Sequence, residues 1–447
     1  MGLISLIVFV SLLIRIIMLD TIPPNITGDE VTNLSDVYRI LFGKEYHIFS
    51  FMGDGSVAGI NFYLSAFLAK MFELRNTIFS LRFPIVLLSI FSLIPFYFLL
   101  VNKTSRLIGG GFTLLLSTNY TFLNFSRTAW INMGVIFSGL SLLLLLEKAE
   151  REKREIWYVL AGVFAGITLY GYHYGKILVG SIILYLLLTF LYNKNRNLAY
   201  IKKISIFLGI TLIVSLPLLL TIIFDRAESV LRRPRNVYAF SSNRTADLSP
   251  TQNLLQHQIE YTLKGFIILD SNVMSEGVEN QRYLPIHTSP VNLPIKILFI
   301  LGLVYAIFFS RGLRFWWILF FTILLTQIVT ELPPNFSRGL FYIPFIYFIS
   351  GMFFSKICSF SKKLLIGKYY IMFAFIFVFA IAVLSLADIR TYFDWMQSKD
   401  IYNSRQPAID YREFSIWQTY QIQRVKNGQT PVNNYEWDEI RKTLPLK

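Results

Sequence analysis

The sequence predicts an all-α membrane protein that crosses the bilayer many times. Of its 447 residues, 54% are hydrophobic and only 15% are charged, and the mean hydropathy is +0.52. The apolar residues form blocks of about 18 or more, the length that a helix needs to cross the hydrocarbon core. Much of the Lys and Arg behind the net charge of +15 lies in short links between these blocks. This placement is typical of membrane-orientation signals and disfavours nucleic acid as a partner.

About eleven blocks have the length of a membrane-spanning helix. The first, residues 3–19, contains Arg15 and is not followed by a small-residue cleavage site, so we interpret it as a retained helix rather than a signal peptide. The other ten cover residues 83–101, 107–125, 128–146, 156–172, 175–192, 204–223, 291–309, 315–331, 339–354 and 369–387.

One further apolar segment, residues 57–72, either spans the membrane or lies in its surface. If it lies in the surface, all the basic links fall on one side, near residues 103–106, 148–154, 194–203, 311–314 and 356–368. Cytoplasmic loops carry an excess of Lys and Arg, which decides for the interfacial arrangement. We therefore predict a cytoplasmic amino terminus and an outer carboxyl-terminal tail.

This topology predicts a membrane domain over residues 1–387 and an extracytoplasmic tail over residues 388–447. The first outer loop, residues 20–82, should contain a second interfacial helix that starts near Val31 and ends at Gly43. A long outer loop covers residues 224–290. The single cysteine, Cys358, excludes an intramolecular disulfide and any cysteine metal cluster.

The stretch Thr27-Gly28-Asp29-Glu30 follows the first span and carries two adjacent carboxylates. Thr27 and Glu30 have the spacing of a capping box, and acids in a first helical turn complement the helix dipole. Alternatively, a carboxylate at the membrane surface accepts a proton from a nucleophile or helps to hold a metal ion. Asp29 and Glu30 are therefore candidate catalytic residues, with the cap favoured for Glu30.

Several cations lie at the predicted outer ends of spans. Converging there, they would hold a phosphate or pyrophosphate through charge-assisted hydrogen bonds; alternatively, each one anchors its helix end at the interface. That all are anchors is disfavoured, because the positive-inside rule selects against cations on this side. The candidates for binding a phosphate are Arg82, Arg127, Lys176, Arg282 and Arg338, and His173 is a candidate proton carrier.

The order of these motifs resembles the superfamily of protein O-mannosyltransferases and lipid A aminoarabinose transferases, which have the GT-C fold. The resemblance covers most of residues 1–355. It rests on the first span with Asp29 and Glu30 after it, followed by Gly59-Ile60-Asn61-Phe62-Tyr63-Leu64, Leu81-Arg82-Phe83-Pro84, Ser126-Arg127-Thr128-Ala129-Trp130 and Gly175-Lys176.

The resemblance implies a GT-C-like bundle that takes a sugar from a polyprenyl-phosphate donor and transfers it to a protein, lipid or glycan acceptor at the outer face. Asp29 would lie at the catalytic centre, and Arg127 and Lys176 would face the donor phosphate. Relatives often carry a second acid a few residues after the arginine segment, where this chain has Asn132. Asp54, in the first outer loop, is a candidate to replace it.

Two other functions remain open at this point. A transporter or flippase of a lipid-linked or anionic substrate would also carry outer cations, but the sequence shows no inverted repeat and no matched pair of broken helices. A polysaccharide polymerase or ligase uses the same class of donor and would place its catalytic residues in a late outer loop. A divalent metal ion is the candidate cofactor.

Overall fold

The computed structural model describes residues 2–43, 48–49, 51–52, 57–75, 77–192, 198–224, 238–240, 253–276, 280–310, 312–364, 368–398, 401, 407–410, 413–432 and 434–443. The described part is mostly helical. Its helices are α1 (Gly2–Ile16), α2 (Gly28–Phe42), α3 (Tyr63–Met71), α4 (Thr77–Val101), α5 (Arg106–Thr118), α6 (Tyr120–Arg127), α7 (Asn132–Glu152), α8 (Glu155–Leu169), α9 (His173–Tyr192), α10 (Leu198–Phe224), α11 (Leu254–Leu263), α12 (Ser271–Glu276), α13 (Leu293–Phe309), α14 (Arg314–Val329), α15 (Phe336–Gly339), α16 (Tyr342–Leu364), α17 (Lys368–Gln397), α18 (Phe414–Lys426) and α19 (Asn434–Thr443).

Two 3₁₀ segments (Gly59–Phe62 and Asn280–Arg282), one π segment (Lys264–Ile268) and four short strands complete the described structure. The strands form two antiparallel pairs: β1 (Ile26–Thr27) with β4 (Pro407–Ile409), and β2 (Phe51–Met52) with β3 (Val57–Ala58). The all-α membrane fold is confirmed. Among the described residues, six helices are long and apolar enough to cross a membrane (α4, α7, α9, α10, α16 and α17), and four are apolar but shorter (α1, α8, α13 and α14).

The predicted span at residues 107–125 is divided into α5 and α6. The division falls at Asn119, whose side-chain oxygen accepts a hydrogen bond from the Phe122 backbone N–H at 2.9 Å and so caps α6. An asparagine side chain competes in this way with the helical hydrogen bonds of the backbone. Hydropathy does not register this competition, which is why the sequence predicts one continuous helix here.

The bundle has two chemically different ends. At one end, which we call the basic end, several links between helices are joined by ion pairs: Lys103–Glu147 at 3.8 Å, Arg314–Glu150 at 3.2 Å and Lys202–Glu155 at 2.7 Å. The opposite end, which we call the Asp29 end, carries α2, α3 and the tail. Four of the five basic links predicted to share one side, near Lys103, residues 148–154, Lys202 and Arg314, are therefore found at the basic end.

Helix α3 is too short to span a membrane. Its nine residues rise by about 14 Å, against a hydrocarbon core of about 30 Å. The prediction that this segment does not span is therefore confirmed, and its placement at the interface stays a prediction. Helix α2 ends at Gly43 as expected, and any side chain at that position would overlap the Arg39 carbonyl group.

The carboxyl-terminal tail packs on the start of the chain. Helix α17 continues to Gln397, ten residues past the predicted end at residue 387. Beyond it, β4 pairs with β1, and Trp417 of α18 packs against Tyr38 of α2 with ring centroids 6.0 Å apart. Gln418 donates a hydrogen bond to the Thr77 hydroxyl at 3.1 Å. The tail therefore supports the helix that carries Asp29.

The positive-inside rule predicts that the Asp29 end faces outward. After Cys358→Ser removes the native thiol, single cysteines at the exposed residues Gln429 and Arg154 would report the two ends. We expect a membrane-impermeant maleimide to label Gln429→Cys in intact cells and to label Arg154→Cys only after the membrane is opened. Labelling of Arg154→Cys alone in intact cells would reverse the orientation.

Candidate functional site

The first turn of α2 presents Asp29 on the surface and buries Glu30. The Thr27 hydroxyl accepts a hydrogen bond from the Glu30 N–H, and the Glu30 carboxylate accepts one from the Thr27 N–H at 3.1 Å. The predicted capping box is thus confirmed. Asp29 lies between these two residues and is exposed, so its carboxylate stands at the positive end of the helix dipole.

Glu30 is held by a buried ion pair with Arg82. Its Oε1 accepts from Arg82 Nε at 2.8 Å and from the Ala129 N–H at 3.2 Å; its Oε2 accepts from Thr27 and from Arg82 Nη2 at 3.4 Å. The two side chains are 1% and 0% exposed. Of the two carboxylates predicted to be catalytic, only Asp29 is therefore placed to meet a substrate. Since the Glu30 oxygens are already occupied, the adjacent acids do not fit a shared metal ion.

The structure corrects the expectation for Arg82. We expected it before the second span, but α4 already begins at Thr77, so Arg82 lies inside the helix. Its guanidinium also donates to the carbonyls of Leu19, Pro23 and Asn25 at 3.1, 2.9 and 3.0 Å. Because the whole group is buried among protein acceptors, Arg82 is not placed to bind a phosphate.

Arg127 is likewise occupied by the protein. Its guanidinium caps the carboxyl-terminal end of α1, where backbone carbonyls lack helical partners. It also lies 5.7 and 5.4 Å from the ring centroids of Tyr392 and Phe393. The side chain is completely buried, which corrects the expectation that Arg127 faces the donor phosphate. The carbonyls that accept its hydrogen bonds are those of Ile14, Arg15, Ile17, Met18 and Ile22.

Lys176 lies in the first turn of α9 and is only partly buried. Its Nζ donates to the Gly171 carbonyl at 3.1 Å. Gly175 permits the start of α9 to pack closely on α7 and α8, because a Cβ there would press against Val135 and the Thr168 carbonyl. His173 begins the same helix, is half-buried, and packs beside Tyr172 with ring centroids 5.6 Å apart.

Residues 124–132, which we call the central segment, connect the loops of the Asp29 end. The Ala129 N–H binds Glu30, and the Ala129 carbonyl accepts from Asn33 at 2.7 Å. Trp130 packs on Tyr283, which follows Arg282, with centroids 5.2 Å apart. These contacts bring Asp29 and Arg282 to the same part of the surface.

Asn132, at the end of the central segment, connects two more loops. Its amide donates to the Ser337 carbonyl at 2.7 Å, and its own carbonyl accepts from the Tyr174 hydroxyl at 2.8 Å. Neither Ser337 nor Tyr174 was a candidate from the sequence, because the sequence gives no sign that the loops at 172–176 and 335–338 meet. An asparagine at position 132, in place of the acid that relatives often carry, thus has a structural reason: its amide donates to the Ser337 carbonyl, which a carboxylate does not.

The remaining candidates differ in their surroundings. Arg338 is mostly buried and donates to the Glu331 carbonyl at 2.6 Å and to its carboxylate at 3.4 Å. Arg282 is half-buried beside the ring of Tyr283. Asp54 lies outside the described residues. In the part of the chain that is described, no three His, Cys, Asp or Glu side chains are grouped so that they could hold a metal ion.

The fold is similar to that of solved membrane enzymes. ArnT from Cupriavidus metallidurans bound to undecaprenyl phosphate matches with a TM-score of 0.57 and 13% identity, over 93% of this chain and 80% of that one. The apo state of the same ArnT matches with a TM-score of 0.55 and 14% identity, over 93% of this chain and 79% of that one. The apo oligosaccharyltransferase of Archaeoglobus fulgidus matches with a TM-score of 0.52 and 12% identity, over 97% of this chain and 60% of that one.

No protein-family model matches the sequence, and no curated protein matches it. The fold is nevertheless defined by the structural matches. ArnT, the lipid A aminoarabinose transferase, and the archaeal oligosaccharyltransferase are both membrane glycosyltransferases with the GT-C fold. The GT-C fold that the resemblance implied is therefore confirmed for this chain.

The buried pair of Glu30 and Arg82 makes a prediction about stability. Glu30→Gln leaves the Arg82 charge buried without its carboxylate, which should lower the free energy of unfolding by about 3–5 kcal/mol. Glu73→Gln is the matched control, because the Glu73–Arg75 pair is 74% and 81% exposed and an exposed pair contributes about 1 kcal/mol at most. Thermal unfolding in detergent measures both. Equal melting temperatures for the two variants would contradict the structural role.

Proposed function

We propose that the protein transfers a sugar from a polyprenyl-phosphate donor to an acceptor at the Asp29 end of the bundle. The observation that carries this proposal is the exposed Asp29 carboxylate, in a helical turn that the buried pair of the next residue, Glu30, with Arg82 holds in place. The fold supports it, because the ArnT of the same fold was solved with undecaprenyl phosphate bound. By the positive-inside rule, the reaction takes place at the extracytoplasmic face.

Asp29 is the proposed general base. Its carboxylate takes the proton from an acceptor hydroxyl or amine while the acceptor atom bonds to the anomeric carbon of the sugar. The bond between that carbon and the phosphate oxygen breaks, and the electron pair leaves with the polyprenyl phosphate. The position at the helix amino terminus stabilises the ionised carboxylate, which is the form that a base needs. A single displacement of this kind inverts the configuration at the sugar.

Lys176 and Arg282 are the proposed ligands of the donor phosphate. Both are partly exposed, and the loops that carry them reach the central segment beside Asp29. Fixed cations near the phosphate would stabilise the negative charge that develops on the leaving group. Arg338, which pairs with Glu331, would instead shape the neighbouring loop. The proposal therefore uses two of the five cations that the sequence suggested as phosphate ligands.

Asp29→Asn separates catalysis from helix capping. The substitution preserves size and removes basicity, so we expect at least about a hundredfold loss of transfer rate with little change in melting temperature. Mass spectrometry of lipid-linked sugars should show the polyprenyl-phosphate sugar accumulating in cells that carry this variant. Asp20→Asn, an exposed acid in the same loop, is the control.

Thr27→Ala should behave in the opposite way. Loss of the cap should lower the free energy of unfolding by about 0.5–2 kcal/mol and leave substantial activity.

A fully active Asp29→Asn protein would exclude Asp29 as the base. A different result would favour a transporter over a transferase: the same glycoconjugates are made with and without the protein, and a lipid-linked substrate crosses the membrane only when the protein is present.

Lys176→Gln tests the donor site. We expect a higher KM for the polyprenyl-phosphate sugar, since a cation facing the phosphate is lost. Lys296→Gln is the matched control, because Lys296 also lies in the first turn of a span and donates to a backbone carbonyl, that of Leu269, at 2.9 Å. Arg127→Ala should lower the melting temperature rather than raise this KM. Wild-type turnover by Lys176→Gln at limiting donor would leave Lys176 as a membrane anchor.

A further inference from the structure

A second acidic group is buried at the Asp29 end, in helices that the proposed transfer does not use. Asp388 of α17 is 2% exposed. Its two carboxylate oxygens each accept from the Asn292 amide at 3.4 Å, which is long for a hydrogen bond. Among the residues that the structure describes, no Lys, Arg or His forms an ion pair with it. Its charge is therefore not neutralised by a side chain of the described protein.

Hydroxyl groups from other elements surround this carboxylate. Tyr120 of α6 and Tyr347 of α16 lie within electrostatic range of Asp388. Ser385 lies three residues earlier on α17 and so shares its helix face. The hydroxyls of Tyr347 and Ser385 are buried; that of Ser385 completes no hydrogen bond with a described residue, and that of Tyr347 lies within reach of the Asn119 side chain. Buried hydroxyl oxygens from two helices thus lie on the side of the bundle that holds this carboxylate.

The backbone next to this group is irregular. Tyr347 lies near Asn119, the residue at which α5 and α6 separate. The Asn119 amide donates to the Pro290 carbonyl at 2.9 Å, and the Tyr120 hydroxyl donates to the Ser289 carbonyl. In membrane proteins, interrupted helices at protein interiors are a common setting for bound Na⁺, since they place oxygen atoms at membrane depth.

We propose that Asp388, Tyr347 and Ser385, which we call the Asp388 cluster, bind a monovalent alkali cation. A buried carboxylate without a counter-charge is costly in a low-dielectric interior, and one univalent cation cancels its charge. The ligands are all oxygen atoms, which suit a hard cation. A divalent ion would leave a buried positive charge that no described acid balances. The bound ion would fasten α17 to α13 and α16, and this role does not depend on the proposed transfer.

Thermal unfolding of the full-length protein in detergent tests the proposal. The melting temperature is measured at constant ionic strength while NaCl or KCl replaces N-methyl-D-glucamine chloride. We expect the melting temperature to rise and then level off as the concentration of one of the alkali ions increases, because a ligand that binds the folded state stabilises it. Binding of radioactive ²²Na⁺, with competition by K⁺, gives a second measurement that is independent of stability.

Three variants decide between the possible outcomes. Asp388→Asn should abolish the ion-dependent rise, and Tyr347→Phe should weaken the apparent affinity about tenfold. Asp394→Asn is the control, since this acid lies on the same helix and is exposed beside Arg390. No difference between alkali ions and N-methyl-D-glucamine for the wild-type protein overturns the proposal and leaves Asp388 as a protonated acid. An unchanged response in Asp388→Asn overturns it as well, because the ion then binds elsewhere.

Discussion

The buried ion pair between Glu30 and Arg82 is the interaction on which the Asp29 end depends. A buried pair gains little from its charges alone, because desolvation offsets the attraction unless other hydrogen bonds satisfy both groups. Here they are satisfied, since Glu30 also accepts from two backbone N–H groups and Arg82 also donates to three carbonyls. The pair therefore ties α2, α4 and the central segment to the loop after α1. Asp29 takes its position from the turn that this pair fixes.

Buried arginines at this end are explained by the ends of helices. Helix α1 ends there and leaves carbonyl groups without helical partners, which is costly near a bilayer. Arg127 donates hydrogen bonds to the carbonyls at the end of α1. Arg15 likewise donates to the Ser117 carbonyl near the end of α5 at 2.8 Å. A guanidinium carries five N–H donors and a charge that complements the negative end of a helix. A cation on the expected outer side is thus not by itself a sign of a phosphate site.

The fold could be predicted further than the site. Hydropathy and the positive-inside rule locate the spans and separate α3 from them. The spacing of Thr27 and Glu30 identifies the cap. These features can be predicted because each one depends on residues that are close together in the sequence. The pairing of Glu30 with Arg82 joins residues 52 positions apart and leaves no local pattern. The same holds for the contact of Asn132 with Ser337 and for the pairing of β1 with β4. The sequence therefore supplied Asp29, Lys176 and Arg282 as candidates, which stay predictions, but assigned the structural Arg82 and Arg127 to the donor.

Asn132 bears on how many acids the proposed transfer can use. Its amide donates to the Ser337 carbonyl, so a carboxylate at this position would place two acceptor oxygens in contact and push the 335–338 loop away. Within the described part of the Asp29 end, Glu30 is sealed by its donors and Glu331 is paired with Arg338. Asp29 is the acid that this arrangement leaves at the surface of α2. The proposed transfer, with one base and an inverting displacement, uses this exposed carboxylate in the first turn of α2.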